Sequence, residues 1–280
     1  MIQDIAPHKL DNAFRKAEPQ AGNYVFTFRG TKPLFIMGGD TVKLPTFEDL
    51  PGGFEKNKDK AVYLFSIDEE PVFLILARDF AGDIASDMKF DFLEKVYNIK
   101  EGWVPIAAFT ANHLNHWYEE HHFCGCCGSV TVFSDTERAK VCPECGNIQY
   151  PRISPVIMAA ITDGERLLCT RYTGRSYKGI ALIAGFVEIG ETLEEAMQRE
   201  VMEEVGLNIK EIKYYGSQPW GLSDSIIAGF FAYLDGSDKF RLDETELEDA
   251  AWLTREELPP LVDNVSITAA MIEDFRLGKF

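Results

Sequence analysis

Residues 185–207 read GFVEIGETLEEAMQREVMEEVGL, and this stretch decides the fold around it. Thr192 and, three positions later, Glu195 form a capping box, which predicts that a helix begins beside Thr192. Gly206 suits the left-handed position that ends a helix. Between them, aliphatic side chains recur at helical spacing and predict one buried face: Leu193, Met197, Val201 and Val205. The stretch is therefore predicted to be a loop, a helix and a second loop.

The same helix carries a cluster of carboxylates on its other side. Residues three and four apart share a helix face, so Glu200 lies beside Glu203 and Glu204. Their charges repel one another unless a cation is present, and hard divalent cations such as Mg²⁺ or Mn²⁺ take carboxylate oxygens as ligands. Arg199 can pair with Glu203 and keep this face in order. We therefore expect a catalytic metal site here, able to clamp a diphosphate, in preference to an ordinary solvated acidic face.

A second metal pattern lies in the middle of the chain. Two Cys-x2-Cys-Gly knuckles follow one another, and they contain Cys124, Cys127, Cys142 and Cys145. Four thiolates at this spacing are typical of a closed, structural Zn²⁺ site. Cys126 could replace Cys127 as a ligand, but the regular spacing would then be lost. The nearby His121 and His122 are alternative ligands that the regular pattern disfavours. The segment is too short for its own apolar core, so zinc binding is expected to supply its folding energy.

The charge balance limits the partners of this chain. Its 280 residues include 28 Lys and Arg against 45 Asp and Glu, a formal net charge of −17. Such a surface repels a phosphate backbone, which argues against nonspecific binding to duplex nucleic acid. No apolar run reaches the length of a membrane span, and the first residues show no signal-peptide pattern. We therefore expect a soluble protein of the cytoplasm.

The chain divides into three predicted domains of a mixed α/β (α+β) fold class. Residues 1–120 form an α/β domain with strands at 24–28, 61–67 and 71–77 and helices at 87–97 and 107–120. No chemical motif occurs in this domain, which favours a packing or dimerisation role. Residues 121–150 form the zinc segment. Residues 151–280 alternate strands with the helix of the opening stretch and end in a helix at 266–276.

Two features of the chain resemble known families. The pattern Gly185-x5-Glu191-x7-Arg199-Glu200 and its continuation to position 207 resemble the box of the Nudix hydrolases at every defining position. The order of an N-terminal domain, a four-cysteine zinc ribbon and Tyr150-Pro151 leading into the box domain resembles the NADH pyrophosphatases, also called NAD⁺ diphosphatases. The segment Ser217-Gln218-Pro219-Trp220 is similar to the start of that family's motif SQPWPFPxS. The resemblance covers residues 120–260 and implies an α/β/α Nudix sandwich with a mixed sheet.

The resemblance also implies an activity and its residues. Enzymes of this kind are homodimers that split NADH or NAD⁺ into nicotinamide mononucleotide and AMP, and some remove NAD caps from RNA. The implied catalytic residues are Glu191, Arg199, Glu200, Glu203 and Glu204, with Glu204 closest to water activation and Glu191 holding the loop. The implied substrate-binding residues are Tyr150 of the partner subunit, Phe186, Gln218, Trp220 and Ser225. Glu246 is the implied additional metal ligand, with Glu244 and Glu248 as alternatives.

One departure from the family motif leaves the substrate open. Where the motif has Pro-Phe-Pro, this chain has Gly221-Leu222-Ser223, and it matches the motif again at Ser225. The missing phenyl ring removes an aromatic surface, and the missing prolines loosen the loop. Hydrolysis of ADP-ribose or another nucleoside diphosphate derivative is therefore an alternative function. A non-catalytic ligand sensor is a second alternative, although every box carboxylate is present.

Overall fold

The chain folds into two compact units. The computed structural model describes residues 1–38, 41–174, 179–260 and 265–280. One unit consists of Gln3–Arg152 together with Gly221–Asp224, and the other of Met1–Ile2, Ile153–Trp220 and Ser225–Phe280. The further division of the first 150 residues into two domains stays a prediction, because both parts belong to one unit.

The unit that contains residues 3–152 is built from short strands and one long helix. Its strands are β1 (Leu10–Asp11), β2 (Val25–Phe26), β3 (Phe28–Arg29), β4 (Lys32–Gly38), β5 (Thr41–Lys43), β6 (Val62–Ile67), β7 (Glu70–Leu74), β8 (Met88–Phe90), β9 (Val132–Phe133), β10 (Lys140–Val141) and β11 (Ile148–Gln149). Its helices are α1 (Gly53–Asn57) and α2 (Val104–Glu120), with 3₁₀ turns at Phe47–Asp49, Lys58–Lys60 and Leu93–Asn98. The strands form sheets of order β1-β6-β7-β2, β3-β4-β5 with β8 on β4, and β11-β10-β9.

One of the two helices predicted in this unit is wrong. The predicted helix at 87–97 is replaced by β8, which pairs with β4, and by the 3₁₀ turn at Leu93–Asn98. Strand pairing with a distant segment overrides the local helical spacing here. The predicted helix at 107–120 is confirmed as α2, and it begins earlier because Pro105 is tolerated in a first helical turn.

The four cysteines of the predicted zinc segment come together beside the sheet of β9, β10 and β11. The Sγ–Sγ distance is 3.6 Å for Cys124 and Cys145 and 3.4 Å for Cys127 and Cys142. All four sulfur atoms lie within 4.8 Å of one another. A tetrahedron with Zn–S bonds of about 2.3 Å has sulfur atoms roughly 3.8 Å apart. The donor set therefore fits one Zn²⁺ ion.

The surroundings of these thiols favour metal binding over a disulfide. None of the six cysteines forms a disulfide. Backbone N–H groups of Cys127 and Cys126 point at the sulfur of Cys124 and lower the pKa of that thiol to about 6, whereas the neighbouring thiols raise the pKa of Cys145 to about 12. A thiolate is the form that binds a metal. Cys169 lies apart on a strand of the other unit, where burial raises the pKa of its thiol to about 12, as expected for an inert core residue.

The other unit is a mixed sheet between two helices. Its strands are β12 (Ser154–Thr162), β13 (Arg166–Tyr172), β14 (Ile183–Phe186), β15 (Ile209–Trp220), β16 (Ser225–Leu234) and β17 (Leu247–Thr254), and its helices are α3 (Leu193–Val205) and α4 (Ile267–Arg276). The sheet order is β15-β16-β12-β13-β17, with β14 on β12. Since β12 and β16 are parallel and the other pairs are antiparallel, the predicted mixed sheet is confirmed.

Alternate side chains of the central strand β12 build two separate cores. Ile157, Ala159 and Ile161 pack on the side that buries the apolar face of α3. Met158 and Ala160 pack on the other side, with the apolar face of α4. Successive residues of a strand point to opposite faces, so one strand serves both layers. The predicted α/β/α sandwich is confirmed.

The local signals at both helix ends are confirmed. The Thr192 hydroxyl accepts a hydrogen bond from Glu195 N, and the Glu195 carboxylate accepts one from Thr192 N in return. Gly206 ends α3 with φ 67°, and Ser266 caps the start of α4. In the part of the chain that the structure describes, no helix has the length and apolar character needed to cross a membrane.

The cysteine geometry predicts which thiols retain the zinc. We expect Cys142→Ser to lose the ion and to unfold the ribbon, because the metal supplies its folding energy. Cys126→Ser is the matched control, since this exposed thiol lies outside the set of four. Metal analysis of the purified variants, with thermal unfolding, measures both effects. Zinc retained by Cys142→Ser, or lost from Cys126→Ser, would contradict this assignment.

Candidate active site

Arg199 on α3 is the centre of the carboxylate cluster. Its Nε and Nη2 donate to the two carboxylate oxygens of Glu191, at 2.6 and 2.9 Å. Its Nη1 donates to Glu200 Oε1 at 2.8 Å and to Glu203 Oε2 at 3.0 Å. Its Nη2 also donates to the carbonyl oxygen of Phe186 at 2.9 Å. One guanidinium thus joins the loop before α3 to two carboxylates of the helix.

Glu191 is held as a charged group in this arrangement. The two hydrogen bonds from Arg199, and then one from the backbone N–H of Glu188, lower the pKa of Glu191 to about 2. The same bond from Glu188 N, 3.0 Å long, closes a turn of the loop. A bidentate contact between Arg and a carboxylate is strongly oriented. The Glu191 carboxylate thus joins Arg199 of α3 to the backbone of the preceding loop, and its role in catalysis stays a prediction.

Glu200 occupies a space that Gly185 leaves open. A Cβ atom built on Gly185 would overlap the carboxylate of Glu200. Gly185 lies in β14, which packs against α3, so the first glycine of the box admits a carboxylate between strand and helix. Burial is the main cause that raises the pKa of Glu200; Arg199 lowers this pKa, and the negative charges of Glu203 and Glu246 raise it. The pKa of Glu200 is thus raised even though the Arg199 guanidinium contacts its carboxylate, and a bound metal ion would favour the ionised form further.

Glu204 is the most buried carboxylate of the helix, with 2% of its surface exposed. Its Oε1 lies 3.5 Å from the hydroxyl of Tyr172, and that hydroxyl accepts a hydrogen bond from Ala184 N at 2.9 Å. Sequence reasoning missed Tyr172, because it stands at the end of β13 and far from the box in the chain. Next to it, Thr173 N donates to the carbonyl oxygen of Glu246 at 2.8 Å, which fixes the backbone there.

The glutamates do not form a closed cage. Within the described ranges, the four cysteines are the only set of three or more metal-binding side chains whose ligand atoms all lie within 4.8 Å of one another. Mg²⁺ keeps several of its waters and is bound through one or two carboxylates, so it needs no closed cage. The donor chemistry of Glu200, Glu203 and Glu204, with Glu246 close enough to affect Glu200, fits such an ion.

The side chains predicted to bind substrate lie in different settings. Phe186 is the last residue of β14. Because 54% of its surface is exposed, its side chain is not part of the apolar core. Trp220 ends β15 and packs partly against the core on the α4 side. Tyr150 belongs to the other unit, where its ring is exposed and its hydroxyl donates a hydrogen bond to Glu137 Oε1 at 3.1 Å.

Gln218 and Ser225 are buried, and their contact with a substrate stays a prediction. Gln218 Nε2 donates to the carbonyl oxygen of Val265 at 2.7 Å, and its Oε1 accepts from Ile267 N at 2.7 Å. The side-chain amide thereby satisfies a backbone N–H at the start of α4, where helices leave such groups unpaired. Ser225 begins β16 directly opposite Trp220.

Gly185→Ala tests whether Glu200 contributes to metal binding. In Gly185→Ala the new methyl group displaces the Glu200 carboxylate, which ends a flexible side chain and swings aside without unfolding the protein. We expect Mg²⁺ affinity to fall roughly 10-fold or more, as for other losses of ligand orientation. Calorimetric Mg²⁺ titration measures the affinity.

Gly216→Ala in β15 is the matched control for Gly185→Ala. No atom lies within 4 Å of a Cβ built there, and its φ is not left-handed. We expect the control to bind Mg²⁺ with wild-type affinity. Equal affinities for the wild type and both variants would show that Glu200 does not contribute to the metal site.

Comparison with known proteins places this geometry in a family. The NUDIX domain model matches residues 152–275, and the NADH pyrophosphatase zinc ribbon domain model matches residues 119–150. The protein named NAD-capped RNA hydrolase NudC from Citrobacter koseri is 35% identical over 231 residues, which are 81% of this chain and 86% of that protein. The protein of the same name from Vibrio cholerae serotype O1 is 33% identical over 216 residues, 77% of this chain and 78% of that protein.

A third relative aligns over a shorter part of the chain. The protein of that name from Photobacterium profundum is 38% identical over 167 residues, and the alignment spans 60% of this chain and 62% of that protein. The two family models cover both predicted metal segments, and two relatives align over most of their lengths. The chain therefore belongs to the Nudix hydrolases, in the group that carries the NADH pyrophosphatase zinc ribbon.

Proposed function

We propose that this Nudix hydrolase cleaves the pyrophosphate bond of NADH and NAD⁺, giving nicotinamide mononucleotide and AMP, and that it also removes NAD caps from RNA. The observation that carries the proposal is the complete carboxylate set of α3, which Arg199 holds against the loop before it. The zinc ribbon and the names of the relatives support a nicotinamide dinucleotide as the substrate.

In this proposal the carboxylates bind metal, hold the loop or accept a proton, and Glu204 has two of these roles. Glu200, Glu203 and Glu204, with Glu246, hold Mg²⁺ or Mn²⁺. Such ions neutralise the charge of a diphosphate and make water a better nucleophile. Arg199 keeps Glu200 and Glu203 aligned, and Glu191 holds the loop. Glu204, buried beside the Tyr172 hydroxyl, accepts the proton of the attacking water as general base.

Aromatic side chains bind the flat ends of the substrate. The exposed ring of Phe186 directly follows Gly185 and stacks on the nicotinamide, and Trp220 lines the same pocket. Stacking on flat rings provides a large contact area at little cost in conformational entropy. Tyr150 of a second subunit completes the pocket, so the active form is a homodimer. We place the enzyme in the cytoplasm, with Zn²⁺ in a purely structural role.

The acidity of the chain bears on how capped RNA is bound. A net charge of −17 repels the phosphates of an RNA body. Recognition therefore rests on the dinucleotide at the 5′ end, and contacts to the following nucleotides contribute little. This makes cleavage of a capped RNA depend weakly on the sequence downstream of the cap.

Glu204→Gln is the direct test of the catalytic assignment. The amide has the same shape and cannot accept a proton as a carboxylate does, so we expect kcat for NADH to fall by about 10²-fold or more. Zinc content and thermal unfolding should remain those of the wild type. Glu194→Gln, an exposed position in the first turn of the same helix, is the matched control and should retain full activity. Near-normal turnover by Glu204→Gln would refute the assignment.

A substrate panel decides between this function and its alternatives. We expect kcat/KM in the presence of Mg²⁺ to be higher for NADH, NAD⁺ and NAD-capped RNA than for ADP-ribose. Chromatography of the products, with AMP and the nicotinamide mononucleotide as the expected pair, gives the rates. A preference for ADP-ribose would support the general diphosphate hydrolase. Binding of these dinucleotides without cleavage of any of them would support the ligand sensor.

A further inference from the structure

The turn Gly221–Asp224, which stands where the family motif has Pro-Phe-Pro, connects β15 to β16. It packs against residues of the other unit's part of the chain and not with these two strands. Gly221–Asp224 belongs to the unit of Gln3–Arg152, whereas β15 ends at Trp220 and β16 begins at Ser225. The turn therefore follows directly on the segment that carries Trp220. Whatever holds the turn also limits where that segment lies, because the two are joined by a peptide bond.

Gly221 is held against the backbone of α2. A Cβ built on Gly221 would overlap the carbonyl oxygen of Phe109 and come within 2.6 Å of its carbonyl carbon. Both atoms belong to the helix backbone, so neither can move aside as a side chain would. Asn112, fully buried, donates from Nδ2 to the carbonyl oxygen of Gly221 at 2.7 Å. Only glycine fits this close approach, and the reason is steric.

Asp224 is held at the other end of the turn. His116 Nδ1 lies 3.2 Å from Asp224 Oδ1 and 3.3 Å from Oδ2. His113 Nε2 lies 3.9 Å from Oδ1 and 2.8 Å from the carbonyl oxygen of Arg152. Asp224 has φ 51°, a left-handed conformation that aspartate adopts more readily than most residues. Between the two ends, Leu222 and Ser223 are exposed.

We propose that Asn112 and His116 are positioning residues for substrate selection, which act by clamping the turn Gly221–Asp224. Phe109, Asn112 and His116 recur at helical spacing, so one face of α2 presents all three contacts. Trp220 is joined to Gly221 by a peptide bond, so a clamped turn restricts the residue proposed to line the nicotinamide pocket. This inference rests on the proposed function, and it gives residues of the N-terminal region a role in substrate selection.

The clamp also gives a structural reason for Gly221, which stands where the family motif has a proline. A proline at position 221 carries a Cβ and a ring, and the Phe109 carbonyl occupies that space. The glycine is therefore part of an alternative way to fix the turn, in which α2 supplies the rigidity that prolines supply elsewhere. Restoring Pro-Phe-Pro at positions 221–223 would disrupt the contact with α2.

The experiment compares Asn112→Ala and Gly221→Ala with Leu222→Ala, a control in the exposed middle of the same turn. We expect the first two variants to raise KM for NADH about 10-fold with a smaller change in kcat, because the nicotinamide end is misplaced. ADP-ribose lacks that end, so its KM should stay within about 2-fold of the wild type, and Leu222→Ala should resemble the wild type with both substrates. Where Gly221→Ala fails to fold, Asn112→Ala decides.

Three results would overturn the clamp: unchanged NADH kinetics in Asn112→Ala, equal losses with NADH and ADP-ribose, or an effect of Leu222→Ala as large as that of Gly221→Ala. Amide hydrogen exchange of residues 217–220 provides a readout apart from activity. We expect it to quicken in Asn112→Ala and not in Leu222→Ala. If the wild type does not cleave NADH, the proposed function fails, and unchanged exchange in Asn112→Ala would separately reject the clamp.

Discussion

The guanidinium of Arg199 is the contact on which the box depends. Four carboxylates approach one another around α3 and the loop before it, and their repulsion would open that structure if nothing opposed it. Arg199 donates to Glu191, Glu200 and Glu203 and to the carbonyl of Phe186. A second constraint acts with it, because Gly185 must lack a side chain for the Glu200 carboxylate to fit beside β14. Charge pairing and a missing Cβ together shape the site.

The apolar core between the sheet and α3 holds this helix, and with it the carboxylates of the box, in place. Alternate residues of β12 bury α3 on one face of the sheet and α4 on the other, so a displaced helix would expose one of two apolar cores. Gln218 joins the strand β15 to the start of α4 through both ends of its amide. The strand that carries Trp220 is therefore fixed near its C-terminal end by a buried polar contact.

The first 150 residues contribute two different kinds of order. In the ribbon, four thiols converge on a space of the size of one metal ion, in a segment with little apolar core of its own. In α2, a helix face without any chemical motif holds the turn Gly221–Asp224 through a close backbone approach and a buried amide. The chain as a whole is acidic, with a formal net charge of −17.

The sequence by itself determined the helix α3, its capping box and its terminal Gly206, because these signals act within a few residues of one another. It also determined the four zinc-binding cysteines, whose spacing is local. Only the tertiary structure decided that residues 88–90 pair as a strand, that Tyr172 lies at Glu204, and that Gly221 meets Phe109. These features depend on contacts between segments that are distant in the chain, and a local sequence pattern does not predict such contacts.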